Sequence, residues 1–197
     1  ENDSASAIVF EINTFGGRVD AATQIKDAIL DSKVPTIAFI NKRAISAGAL
    51  ISLSCERIYM TGGATIGATT AVDMQGNKAS EKVISYMREE MASTAEKRGR
   101  NIIIARGMVD EELEFPSKVV NEFVKSDNEI DTIKTKIYYL LFNSDTVIVN
   151  DIEGRKQGNL ITLTTEQSLK YNIADASADN FDAVLDSLGP VSYTHLR

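Results

Sequence analysis

Histidine is almost absent from this chain: among 197 residues there is only His195, third from the C-terminus. The stretch from Gly189 to Arg197 around it has no apolar periodicity and reads as a tail. A Ser-His-Asp triad needs an imidazole held rigidly at the serine oxygen, so that arrangement is not expected within one chain. Cysteine is equally scarce. Cys55 alone excludes an internal disulfide and a cysteine metal cluster, and one His beside one Cys offers no zinc-site spacing. Neither a metal nor another cofactor is expected, and Cys55 reads as a small buried hydrophobe. Basic clusters are also lacking. With 21 Lys and Arg against 28 Asp and Glu the net charge is −7, which argues against a nucleic-acid partner. The densest basic group, Lys97-Arg98-Gly99-Arg100, reads as a helix C-terminus, where cations favour the dipole. No apolar run approaches the roughly 18 residues of a membrane span. No signal peptide opens the chain, so the expectation is a cytosolic protein or a piece trimmed of its leader.

What remains is ordinary for a globular protein, with 43% hydrophobic and 25% charged residues and length for one sizeable core. Ala7 to Ile12 reads as a mostly buried strand, ended by the turn Asn13-Thr14-Phe15-Gly16-Gly17. Asp20 is expected to cap a helix whose apolar positions are Ala22, Ile25, Ala28 and Ile29. Pro35 introduces a second buried strand, Thr36 to Ile40, then a loop and an Ala/Gly/Leu helix from Ser46. Arg57 to Met60 is a third strand. This alternation predicts parallel β/α units with a ligand crevice at the carboxyl ends of the strands. Ser80 to Arg98 predicts a long amphipathic helix carrying Val83, Ile84, Met87, Met91 and Ala95 and ended by Gly99. From about 115 to 158 the character changes, and this stretch reads as an inserted helical segment followed by a strand, Val147-Ile148-Val149. The core pattern resumes with Leu160 to Leu163, a helix from Thr165 to Tyr171, Ile173-Ala174, and a last helix from about Asn180 to Leu188. Residues 1–188 thus read as one domain and 189–197 as its tail.

Ser46, in Ala44-Ile45-Ser46-Ala47-Gly48-Ala49, stands where a strand end meets a helix start. Small neighbours permit a sharp turn that exposes the hydroxyl, the mechanical idea of the nucleophile elbow, although Gly-x-Ser-x-Gly is not present. The N–H of Ala47 lies in the unsatisfied first turn, and with the N–H of Gly17 it can hold an oxyanion. Lys82 opens the long helix, whose N-terminus disfavours an ammonium, and lysine is the usual substitute for a missing histidine base. Each feature has a plainer reading. Ser-Ala-Gly-Ala suits a packed helix start, Gly16-Gly17 suits any β-to-α turn, and Lys82, like Lys78, suits a solvated surface. Their order and placement together favour the catalytic reading.

That order resembles a known family. Ile12-Asn13-Thr14-Phe15-Gly16-Gly17-Arg18-Val19-Asp20-Ala21-Ala22, Ile45 to Ala49, Ala64-Thr65-Ile66-Gly67-Ala68-Thr69-Thr70 and Lys82 through Asn101 resemble the protease domain of nodulation-efficiency protein D, NfeD. Leu163 to Leu169 with Ile173-Ala174-Asp175 is similar to the family's closing segment. The family pattern has proline where this chain has Phe15, and usually where it has Ala71. The resemblance implies an α/β fold of the ClpP/crotonase class, here without the family's first strand and helix, and a membrane-linked serine protease. It implies Ser46 as nucleophile, Lys82 rather than Lys78 as general base, Gly17 and Ala47 as oxyanion donors, and Gly16, Gly67 and Ala68 as substrate-binding residues. It further implies a hydrophobic, stomatin-like membrane-protein segment as substrate, an extracytoplasmic protease domain, and a homodimer or higher oligomer.

Two other functions remain open at this point. A crotonase-type acyl-CoA enzyme would use paired N–H groups without Ser46 or Lys82, and a catalytically silent envelope scaffold would use neither. The apolar run Ile137-Tyr138-Tyr139-Leu140-Leu141-Phe142 suggests that the insertion packs over the Ser46 crevice, against a second subunit, or into the core.

Overall fold

The run Thr36-Ile37-Ala38-Phe39-Ile40 has nonpolar side chains at both odd and even positions, so a strand made of it must be covered on both faces. In the structure, a computed structural model that describes residues 5–72, 77–113, 117–124, 132–140, 148–149 and 158–189, it forms the first half of β2. All five residues are buried. Ala38 and Ile40 join the larger core with Leu50 and Leu53 of α2 (Ala47–Ser54), Ile84 and Met91 of α3 (Glu81–Lys97), and Ile104 of α4 (Ile102–Gly107). Ile37 and Phe39 belong to a second cluster with Tyr59 and with Val184 of α6 (Phe181–Ser187). The Phe39 and Phe181 rings meet edge-on at 6.1 Å.

Strand β2 runs from Thr36 to Ile45, further than expected, because the segment after Ile40 finds a second partner. β3 (Arg57–Met60) pairs with residues 37–40 and β4 (Thr65–Gly67) with residues 43–45, both parallel. β1 (Ile8–Thr14) is also parallel to β2, from Ile8 opposite Thr36 to Thr14 opposite Ala44, with an irregularity between Ile12 and Thr14. β8 (Thr162–Thr164) pairs antiparallel with β4, and β9 (Ala176–Ser177) pairs parallel with β3. The mixed sheet keeps the expected parallel β/α units and adds one antiparallel strand.

Several local expectations change. β1 is not mostly buried: only Ile12 is, because among the described residues β1 pairs with β2 alone. In α1 (Val19–Leu30) the N-cap is Arg18, while Asp20 sits inside the first turn, 2.6 Å from the Arg18 guanidinium. The buried stripe of α1 is Ala22, Lys26 and Ile29, whereas Ile25 is 43% exposed and Ala28 is exposed. Lys26 takes a core-side position because Glu90 of α3 meets its ammonium at 2.6 Å and Asp27 at 2.9 Å. α3 ends as expected, with Gly99 at a φ of 66°. Arg100 then turns inward and donates to Ile173 O, Glu56 O and Asp175 Oδ2, so it is a buried tie and not a solvated cation. α5 (Thr165–Lys170) opens on a capping box between Thr164 and Gln167.

The segment expected to be a helical insertion is β-structure where it is described. β5 (Ser117–Val124), β6 (Thr132–Leu140) and β7 (Ile148–Val149) form a separate antiparallel three-stranded sheet. The reason is legible afterwards: Ile133-Lys134-Thr135-Lys136-Ile137 alternates with period two, and Val119, Val120, Tyr138 and Tyr139 are β-formers. Val147, Leu141 and Phe142 lie outside the described residues, as do His195 and the tail from 190 onward.

Candidate active site

β1, β2 and β4 are mutually parallel through β2, so their carboxyl ends open on one side of the sheet, the place where α/β folds bind ligands. Ser46 follows β2 directly and is the N-cap of α2. Its backbone stands at φ 55° and ψ −119°, a region that L-residues seldom occupy. The chain must turn there because Ser46 N–H is held by Gly67 O at 3.0 Å while Ser46 O already accepts the first helical bond from Ala49, at 2.9 Å. The hydroxyl makes no capping bond, and the residue is half-buried. A serine side chain is thus presented on a strained strand-to-helix turn with its oxygen unengaged by the helix.

The turn after β1 comes against this serine. Gly16 has a φ of 126°, and a Cβ placed on it would lie 2.7 Å from Ser46 Cβ and 3.2 Å from Ser46 Oγ. Glycine is required there by both conformation and space. Thr14 shapes the turn: its Oγ1 accepts the Gly16 N–H at 3.0 Å and lies 3.2 Å from Gly16 O. The next residue, Gly17, is exposed, and a Cβ placed on it would meet nothing within 4 Å. Ala47 is buried, and its N–H precedes the first helical hydrogen bond, so the helix supplies it no acceptor.

Gly67 and Ala68 close the third side. Gly67 is buried, and its φ of 138° lets Ile161 O pass where a Cβ would be. Gly67 O is engaged by Ser46 N–H, and Ala68 N–H is engaged by Ile161 O at 3.0 Å. These two backbone groups tie the end of β4 to Ser46 and to Ile161, and Ala68 follows half-buried at a φ of 46°.

The two candidate lysines differ in engagement. Lys78 pairs with Glu111 at 2.6 Å, and that hydrogen bond holds its ammonium above the usual lysine range. Lys82 is exposed in the first turn of α3 and has no ion pair among the described residues. α3 packs on α2 through Ile84, Met87 and Met91, in the same cluster as Ala47 and Leu50. Sequence reasoning named Thr14 and Phe15 only as residues of the turn and passed over Arg43 of β2. A threonine before Gly-Gly is a visible turn signal, whereas the stacking of Arg43 on Phe15, at 4.4 Å, depends on strand pairing and has no local signature. A cavity of about 350 Å³ that includes Thr36 and Arg57 in its lining lies at the opposite, amino ends of the strands and contains none of these groups.

Residues 1–133 match the family profile described as NfeD1b, N-terminal domain. This chain belongs to the NfeD1b family. It is 31% identical over 185 residues to membrane protein NfeD1b of Bacillus subtilis (strain 168), covering 94% of the chain and 34% of that protein. It is 30% identical over 196 residues to the membrane-bound protease PH1510 of Pyrococcus horikoshii, covering 87% of the chain and 44% of that protein. The chain therefore spans less than half the length of either relative. Among solved structures, a lysine-to-alanine mutant of the 1510-N membrane-bound stomatin-specific protease, in complex with a substrate peptide, matches with a TM-score of 0.64. That match has 25% identity and covers 92% of this chain and 65% of the other. The NfeD1b-family chain thus shares the mixed α/β fold of the 1510-N protease structure. Among its described residues no helix is long and apolar enough to cross a membrane.

Proposed function

We propose that this chain is the peptidase domain of a membrane-associated serine endopeptidase, with Ser46 as nucleophile and Lys82 as general base. The observation that carries the reading is the Ser46 backbone at φ 55° and ψ −119°. Strain of this kind, on the order of 1–3 kcal/mol, is kept where a side chain must be aimed. A crotonase-type enzyme would need only backbone donors and would leave that strain without a purpose.

The neutral Lys82 amine takes the Ser46 Oγ proton as the oxygen attacks the peptide carbonyl. The carbonyl oxygen becomes an oxyanion held by the N–H groups of Gly17 and Ala47. Collapse breaks the C–N bond, the Lys82 ammonium returns the proton to the leaving amine, and water repeats the sequence on the acyl-serine. The ion pair between Lys78 and Glu111 supports Lys82 in this role, because an ammonium fixed by a carboxylate is a poor proton acceptor. Gly16, Gly67 and Ala68 border the substrate. The names of the membrane-bound protease PH1510 and the stomatin-specific protease 1510-N support a stomatin-like membrane-protein segment as substrate. A hydrophobic cleavage site, a domain outside the cytoplasm and association as a dimer or higher oligomer belong to the same proposal. A serine-to-alanine mutant of 1510-N among the solved matches supports a serine at the centre.

The test is hydrolysis of an apolar peptide. Ser46→Ala and Lys82→Ala should each abolish it, and the double variant should be little worse, since the pair acts as a unit. Lys78→Ala should stay within a few-fold of wild type. A crippled Lys78→Ala chain beside an active Lys82→Ala chain would contradict the assignment.

A further inference from the structure

Phe15 is the most exposed of the large hydrophobic side chains described, at 74%. A single exposed apolar residue is ordinary; its placement here is not. It immediately precedes Gly16, whose backbone abuts Ser46, so the ring is carried on the rim of the candidate active site. One face of the ring is covered by the Arg43 guanidinium, 4.4 Å from the ring centroid. Arg43 is half-buried on β2 and, among the described residues, has no carboxylate within ion-pair distance. A cation stacked on an aromatic face restrains the ring without burying it, and leaves the remaining face and edge open.

We propose that Phe15, held by Arg43, is a specificity-determining shelf that receives an apolar, preferentially aromatic, substrate side chain beside the scissile bond and disfavours a cationic one. This deepens the peptidase reading and rests on it for the position of the scissile bond. The chemistry is direct. An aromatic side chain stacking on the open face buries surface on both partners, while a lysine or arginine at the same place meets the like charge of Arg43.

Binding can be read without cleavage by using the Ser46→Ala chain and short fluorescein-labelled peptides of alanine and valine with one central Phe, Leu, Ala or Lys. Anisotropy should show the Phe peptide bound about tenfold more tightly than the Ala peptide, with the Lys peptide weakest. Adding Phe15→Ala should bring Phe and Ala peptides within about twofold of each other, while Phe15→Leu should keep much of the preference. Arg43→Gln should relieve the discrimination against Lys. If Phe15→Ala weakens all four peptides by one common factor, or none, the shelf is wrong. If the unmodified chain binds selectively but cleaves none of the peptides, the peptidase reading fails and the shelf stands.

Discussion

At Ser46 the backbone conformation and the proposed chemistry make separable demands. Ser46→Ala and Ser46→Gly both remove the hydroxyl, so both should abolish hydrolysis. Only glycine relieves the positive φ, so Ser46→Gly should be the more stable of the two, by about 1 kcal/mol in urea unfolding. Equal stabilities would mean that the turn is not strained. Cys55 is a second residue whose surroundings decide its behaviour. It is fully buried, and burial pushes its thiol from 9.0 to about 12, against the opposing pull of Arg98 and Arg100. Iodoacetamide at pH 8 should leave the native chain unmodified and alkylate it once guanidinium unfolds it. The folded thiol titrates above the unfolded one. Its contribution to stability is therefore complete below pH 9 and is lost as pH rises towards about 12.

Among the elements, α1 and α3 are joined by the Lys26–Glu90 pair, and this contact has consequences for both helices. Burial works against the Lys26 charge, but Glu90 and Asp27 outweigh it and raise its pKa above the ordinary 10.5. The pair's contribution is present below that value and falls away at higher pH. Lys26→Ala leaves Glu90 mostly buried without its cation and should cost about 3 kcal/mol. Lys26→Met together with Glu90→Leu should recover most of that loss in thermal melts, because an apolar pair of similar volume suits this side of α1. If the double variant is as unstable as the single one, the pair is more than a replaceable contact between the helices.

The same elements show what was legible in the chain and what was not. The strands around Ile37–Ile40 and Arg57–Met60, and the helices from Glu81, Thr165 and Phe181, follow from runs and periods written locally. β4 spans only Thr65–Gly67, too short for any period, and exists because β2 and β8 pair with it. The core-side position of Lys26 has no local signal, because its partner Glu90 lies 64 residues away. The helical reading of the insertion gave weight to an apolar run and overlooked the period-two alternation beside it. At the candidate site, Ser46, Gly16 and Gly67 come together through strand ends. The Lys78–Glu111 pair and the Phe15–Arg43 stack depend on contacts between distant segments, so no local motif announces them.

For the whole molecule, the fold shared with 1510-N and the NfeD1b family membership leave the chemistry to be tested on this chain's own residues. The proposed mechanism requires an activated Ser46 whose proton goes to Lys82. The rate of covalent labelling by a fluorophosphonate, followed by intact mass and peptide mapping, tests this most directly. The prediction is one adduct, on Ser46, absent in Ser46→Ala, slowed at least about a hundredfold in Lys82→Ala and within a few-fold of wild type in Lys78→Ala. Labelling at another residue, or labelling of Ser46 at an unchanged rate in Lys82→Ala, would contradict it.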